Sequence, residues 1–281
     1  MKFSYNLDMD TRTIVGDDYA NVNQRNYGNN HVDGPAAEHG MHVAGIIGAV
    51  VNGFGIDGIA HNVKLMIIRC VPNGDERDKD VANAIRYAVD NGAKVINMSF
   101  GKSYSPQKEA VDEAVRYAES KGVLLIHAAG NDSKNIDKSD NFPTKKYLNG
   151  KTCSTWIEVG ASGSTPGELV APFSNYGKKS VDVFAPGVDI YSTYTGGSYK
   201  KESGTRCMAS PVTAGVAAAL WSMYPELTAQ QVKEILIKSA VPYKKLKVTL
   251  PGSETEEKPD GKPIAFGSLS KTGAVVNLQG D

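Results

Sequence analysis

Cysteine is scarce: Cys70, Cys153 and Cys207 are the only three in 281 residues. Three is an odd number and the spacings are wide, which suggests neither a disulfide framework nor a zinc site. Cys70 ends an apolar run and reads as a buried small hydrophobe, whereas Cys153 lies in a polar stretch and is given no role. An excess of one charge is also missing. Lys+Arg and Asp+Glu each number 31, so the formal net charge is zero, without the basic surplus usual in a dedicated nucleic-acid binder. No stretch approaches the roughly 18 uninterrupted apolar residues of a membrane span. Met1 to Asp10 contain no apolar h-region, so they do not read as a signal peptide. No internal repeat and no linker divides the chain. What is present is an apolar fraction of 41%, enough for the core of one domain of this length.

Residues 1–38 are rich in Asn, Asp, Gly and Tyr, show little periodicity, and read as a loop-rich surface segment. From residue 39 onward the pattern alternates. Residues 40–51 are small and apolar and predict a buried helix, and 64–71 (KLMIIRCV) predict a short strand. Val81, Ile85, Ala88 and Val89 share one face of a helix over 80–91. Residues 94–100 read as a strand. Pro106 opens a further helix whose apolar face is Ala110, Val111, Ala114, Val115 and Ala118. Strands are expected at 123–130, 155–160, 181–185 and 188–193, and helices at 208–223 and 229–239, the latter capped by Thr228. A polar, Pro/Gly-rich loop at 251–263 precedes a last short strand near Val275. The alternation implies an α/β fold, a parallel sheet with helices on both faces.

Several short motifs stand out against this frame. His39-Gly40-Met41-His42-Val43-Ala44-Gly45 sits at the mouth of the first helix. A lone histidine there would be a capping or surface residue, but a base held at a helix mouth is also rigidly placed for proton transfer. Ala128-Ala129-Gly130-Asn131-Asp132 follows a strand directly, and so does Asn97-Met98-Ser99-Phe100-Gly101. Ser203-Gly204-Thr205-Arg206-Cys207-Met208-Ala209-Ser210-Pro211 opens a small-residue helix. Together, and with Phe173-Ser174-Asn175-Tyr176-Gly177 and Val183-Phe184-Ala185-Pro186-Gly187, these motifs resemble the subtilisin-like serine proteases over about residues 15–240.

The resemblance carries expectations. It implies a subtilisin-like parallel sheet with an incomplete N-terminal part, the peptidase domain spanning 39–281. It implies a serine-type endopeptidase that cleaves through an acyl-enzyme, with His39 as general base and Asn131 as side-chain donor to the oxyanion. The partner would be an extended polypeptide lying along Ser99 and Gly101 as an added strand, with Phe100 as a pocket wall or a core residue. A complete parent would be secreted or periplasmic. Calcium in surface loops is a family habit, and Asp8, Asp10, Asp17 and Asp18 offer oxygens, yet no calcium-loop pattern joins them and no metal site is assigned.

Two departures bear on activity. Where the family has one serine, this chain has Arg206-Cys207, and Ser203 and Ser210 flank the turn without matching the position. Counted back from Met208, Cys207 takes the serine's place; counted forward from Thr205, Arg206 does. A thiolate at a helix N-terminus is favoured by the dipole, although an inert Cys207 in a broken site is the plainer alternative. The family's orienting Asp ends an early apolar strand, and none of Asp8, Asp10, Asp17, Asp18 and Asp33 follows such a run. The expected outcome is an inactive or severely impaired protease, or a peptide-binding module without catalysis.

Overall fold

The computed structural model describes residues 11–34, 36–72, 74–202 and 208–277. In chain order the regular elements are α1 (Glu38–Gly48), α2 (Asp78–Asp90), β1 (Val95–Met98), α3 (Lys108–Ser120), β2 (Leu124–Ala128), β3 (Trp156–Ser162), β4 (Val183–Pro186), β5 (Ile190–Tyr194), β6 (Ser198–Glu202), α4 (Ala209–Met223), α5 (Ala229–Ser239), β7 (Val241–Pro242), β8 (Lys247–Thr249), β9 (Pro263–Ala265) and β10 (Ala274–Val275).

The main sheet has the order β1-β2-β3-β4-β10-β7. Neighbours from β1 to β10 are parallel, and β7 closes the far edge antiparallel to β10. Every residue of β2 and β3 is buried, as expected for strands covered on both faces. The two-residue alternation of a strand sorts their side chains. Leu124 and Ile126 join Ile157 and Val159 in a core against α4 and α5. Leu125, with Met98 and Trp156, turns to the opposite face and packs against α2 and α3.

Helix α2 buries Val81, Ala82, Ile85, Ala88 and Val89, and α3 buries Val111, Ala114, Val115 and Ala118. Both stripes follow the helical repeat. Helix α4 is rich in Ala, Gly and Val, so its backbone can lie close to the sheet, where it touches β1, β2, β3 and β4. Thr228 caps α5 through a reciprocal pair with Gln231, a capping box.

Four sequence expectations need correction. The helix predicted over 40–51 ends at Gly48, because Gly58, Ile59 and Ala60 donate their N–H groups to the carbonyls of Ala49, Ile46 and Ile47. The returning chain takes the place of another helical turn and leaves Val50 and Val51 exposed. Residues 64–71 form no strand. β1 is the sheet edge, no described strand pairs with this run, and Leu65, Met66 and Ile67 are 41–49% exposed. An apolar run gains strand character only with a ladder partner and a cover. Cys70, at the end of that run, is half-buried rather than core. The strand at 188–193 exists as β5, but it pairs antiparallel with β6 in a separate hairpin.

Candidate active site

Parallel α/β sheets gather ligands at the carboxyl ends of their strands, and two of the motifs lie there. Ser99, Phe100 and Gly101 follow β1 directly, and Gly130 and Asn131 lie just beyond the end of β2. The start of α4 is fixed at the same end. Ser210 is fully buried, and its hydroxyl lies 2.7 Å from Asn97 Oδ1 and 3.2 Å from the Ile126 carbonyl. Met208 and Ala209 are buried beside it. The nucleophile turn, including Cys207, lies outside the described residues.

His39 occupies the first turn of α1, which packs on α4 and on β5. Two hydroxyls anchor that turn: Thr193 Oγ1 donates to the Met41 carbonyl at 2.9 Å and Ser192 Oγ to the His42 carbonyl at 2.8 Å. Gly45 permits this approach, since a Cβ there would collide with both hydroxyl oxygens. His42 is fully buried, with Nε2 at 3.1 Å from both the Ile190 and Lys200 carbonyls.

The turn carrying Asn131 is held by two buried asparagines that sequence reasoning passed over. Asn175 Oδ1 accepts from the amides of Asp132 and Lys134 at 3.0 and 2.8 Å, and its Nδ2 donates to the Ala129 carbonyl at 2.9 Å. Asn141 Nδ2 reaches the carbonyls of Ala128 and Ala129 at 3.2 and 3.0 Å. Gly130 has φ of 105°, and a Cβ on it would strike the Asn175 amide. Asn175 belongs to the segment 173–177, whose motif was legible but whose contact was not. Phe100 is half-buried and joins the core against α2 and α3.

Behind Phe100 lies a buried polar chain. His127 Nε2 is 2.9 Å from the Phe100 carbonyl, and its Nδ1 is 2.8 Å from Glu158 Oε1. Trp156 Nε1 donates to Glu158 Oε2 at 2.8 Å. Asp182 accepts from the Glu158 amide and from Lys145, both on Oδ2, at 2.8 and 2.7 Å. Burial alone would raise the Asp182 carboxyl; Lys145 and Lys271 outweigh it and hold the group below the usual carboxylate range.

Of the early acidic residues, Asp8 and Asp10 lie outside the described residues. Asp17 is buried, with Arg12 Nε at 2.6 Å on Oδ2 and Lys79 Nζ on Oδ1. Lys79 also donates to the Asp18 carbonyl at 2.6 Å and to Gln24 Oε1 at 3.2 Å. Its ammonium thus occupies one carboxylate oxygen of Asp17 and the backbone carbonyl of Asp18. Among the described residues no cluster of His, Cys, Asp and Glu is arranged to hold a metal, and no helix is long and apolar enough to cross a membrane. Burial pushes the Cys70 thiol up to about 12 and raises that of Cys153 as well.

Comparison with known proteins agrees with this architecture. The model of the subtilase family matches residues 4–268. A thermophilic serine proteinase of Bacillus sp. (strain AK1) is 41% identical over 217 residues, covering 76% of this chain and 48% of that protein. Subtilisin DY of Bacillus licheniformis is 38% identical over 205 residues, covering 72% of this chain and 70% of its own. The crystal structure of a cold adapted subtilisin-like serine proteinase superposes with a TM-score of 0.64 at 28% identity, over 87% of this chain and 76% of that one. The chain spans about half the length of several curated relatives it matches.

Proposed function

The chain belongs to the subtilase family, and from that premise we propose a serine-endopeptidase scaffold that holds an extended polypeptide and cleaves it weakly or not at all. The reading is carried by one observation: Ser210 seats the start of α4 against Asn97 and Ile126, beside the segments bearing Ser99–Gly101 and Asn131. A nucleophile turn entering α4 there would face a peptide lying along Ser99 and Gly101, with Asn131 as oxyanion donor and His39 as base. Secretion or a periplasmic location fits this reading for the parent protein.

The same contact supports the impairment. One residue inserted into a continuing helix rotates every later position by about 100°. Ser210, Met208 and Ala209 keep α4 pinned by burial and hydrogen bonds, so the register is best counted back from Met208, and Cys207 stands where the family has serine. Asp17 is committed to Arg12 and Lys79, so it is not the acid that orients a histidine base, a role worth about 10⁴ in turnover in a serine enzyme. A second reading, a peptide-binding module with no catalysis, shares the binding edge and differs only in the chemistry.

Hydrolysis and binding of fluorescein-labelled denatured casein, measured separately, test both. Binding without turnover is expected. Turnover at the level of an intact serine endopeptidase would overturn the impairment, and failure to bind would overturn the peptide edge. Replacing Arg206-Cys207 by a single Ser should leave hydrolysis weak. Iodoacetamide reacting rapidly at Cys207 and only with His39 intact would instead reveal a thiol enzyme, with Cys70 and Cys153 as slow controls because burial raises both thiols.

A further inference from the structure

The β1–β2 ladder ends at the pair Met98–His127. Beyond it, the chain at Ser99–Gly101 has to hold an extended shape without a neighbouring strand. Along an extended segment successive carbonyls point to opposite sides. The Phe100 carbonyl points back toward β2; in an extended chain those of Ser99 and Gly101 would point the other way, where a bound peptide would pair. The Phe100 carbonyl is met by a side chain rather than by a backbone amide: His127 Nε2 at 2.9 Å.

We propose that His127 is a positioning residue that extends the β1–β2 ladder by one side-chain hydrogen bond, locking Phe100 so that Ser99 and Gly101 present their backbone groups to a peptide. The proposal rests on the reading of Ser99–Gly101 as the peptide edge.

The surroundings of the ring are built for one orientation. His127 is fully buried. A carbonyl can only accept, so Nε2 carries a hydrogen when the Phe100 contact is made. Glu158 fixes the opposite nitrogen at 2.8 Å and is itself held by Trp156 Nε1 at 2.8 Å. Phe100 and Trp156 lie against the ring at centroid separations of 6.4 and 5.3 Å. A buried carboxyl group behind an imidazole fixes the orientation of the ring. Here that arrangement serves a backbone carbonyl and leaves no nitrogen for a substrate proton, so the ring positions rather than reacts. A second tether supports the same segment: Lys102 and Phe142 exchange backbone hydrogen bonds at 3.1 and 2.8 Å.

Two substitutions separate this role from general packing. In His127→Gln the side-chain amide nitrogen reaches the position of Nε2 and can donate to Phe100. In His127→Asn it reaches only the position of Nδ1, keeping the Glu158 side and losing Phe100. Both remove the ring and disturb the core alike. Amide hydrogen exchange at residues 100–102 and anisotropy of fluorescein-labelled denatured casein are the readouts. His127→Asn should raise exchange at these amides about tenfold and weaken casein binding by a similar factor, the scale of one lost hydrogen bond. His127→Gln should restore both toward wild type. Equal exchange in the two variants would overturn the proposal. If the wild-type chain binds no casein while the exchange difference holds, the lock on Phe100 stands and the peptide-edge reading fails.

Discussion

Lys79→Met is the sharpest test of what holds the segment before α1 in place. Both members of the Lys79–Asp17 pair have side chains with no solvent exposure, so the mutation leaves a buried carboxylate short of one partner. Breaking a buried pair from one side costs about 3–5 kcal/mol. Arg12 still reaches Asp17 at 2.6 Å and chelates Asp80 through two further bonds at 2.6 and 2.8 Å, which places the expected loss near the lower end, about 3 kcal/mol. For a domain of this size that is a fall in Tm of about 6–12 °C. An exposed pair supplies the control: Lys238 and Glu234 lie 3.1 Å apart with side chains 77% and 64% exposed, and Lys238→Met should cost under about 0.5 kcal/mol. The pH dependence has a definite sign. Burial alone would raise the Asp17 carboxyl, but its hydrogen bonds and charge pairing with Lys79 and Arg12 hold it below its ordinary value. A depressed folded-state pKa gives stability that is present above the unfolded value near 4 and lost as pH falls through the folded one. The gap between wild type and Lys79→Met should therefore be widest at neutral pH and narrow in acid. Thermal unfolding followed by circular dichroism at pH 7 and pH 3 measures both. A Tm change under about 2 °C at pH 7, or a gap that widens in acid, refutes the reasoning.

Two further outcomes are expected at the site. Gly45→Ala drives a methyl into Thr193 Oγ1 and Ser192 Oγ and should cost about 1–3 kcal/mol by overpacking, read as a shift in the urea midpoint; an unchanged midpoint would mean that α1 and β5 can separate freely. Asn175→Ala strips two amides of their acceptor and the Ala129 carbonyl of one of its two side-chain donors and should lose about 1–3 kcal/mol or more. Exchange should rise at Asp132 and Lys134 first, and equal protection there in mutant and wild type would count against the cradle.

The elements with strong periodicity were readable because burial alone dictates them. α2, α3, β2 and β3 follow their apolar patterns closely, and Thr228 marks the start of α5 as its cap chemistry requires. Residues 64–71 show where that logic stops. Their composition is that of a strand, but strand formation depends on a neighbour that a local pattern does not encode, and the described sheet ends at β1 without them. The candidate site was legible as motifs and not as contacts. Asn131 and His39 could be named from their surroundings in the chain, whereas Asn141, Asn175 and His127 act on residues 12–46 positions away. Nothing near them in sequence announces the partner.

The segment before α1 was opaque for a third reason. It carries no apolar stripe, so it reads as surface, yet Asp17 is among the buried residues. Its anchors are charges: Lys79 lies 62 positions from Asp17, and Asp80 lies 68 from Arg12. Tyr27 joins the same knot, its hydroxyl donating to Asp80 at 2.6 Å. Buried ion pairs yield little net free energy over an apolar replacement, but a wrong arrangement leaves an uncompensated charge and is strongly penalised. Such a knot therefore specifies one docking geometry more than it adds stability. Hydrophobic patterning can say which residues avoid water, whereas only the folded chain can say which acid meets which base. In this protein that pairing commits the Asp17 carboxylate to Arg12 and Lys79, so the same contact that anchors the segment withdraws it from the part that the proposed function would give an orienting acid.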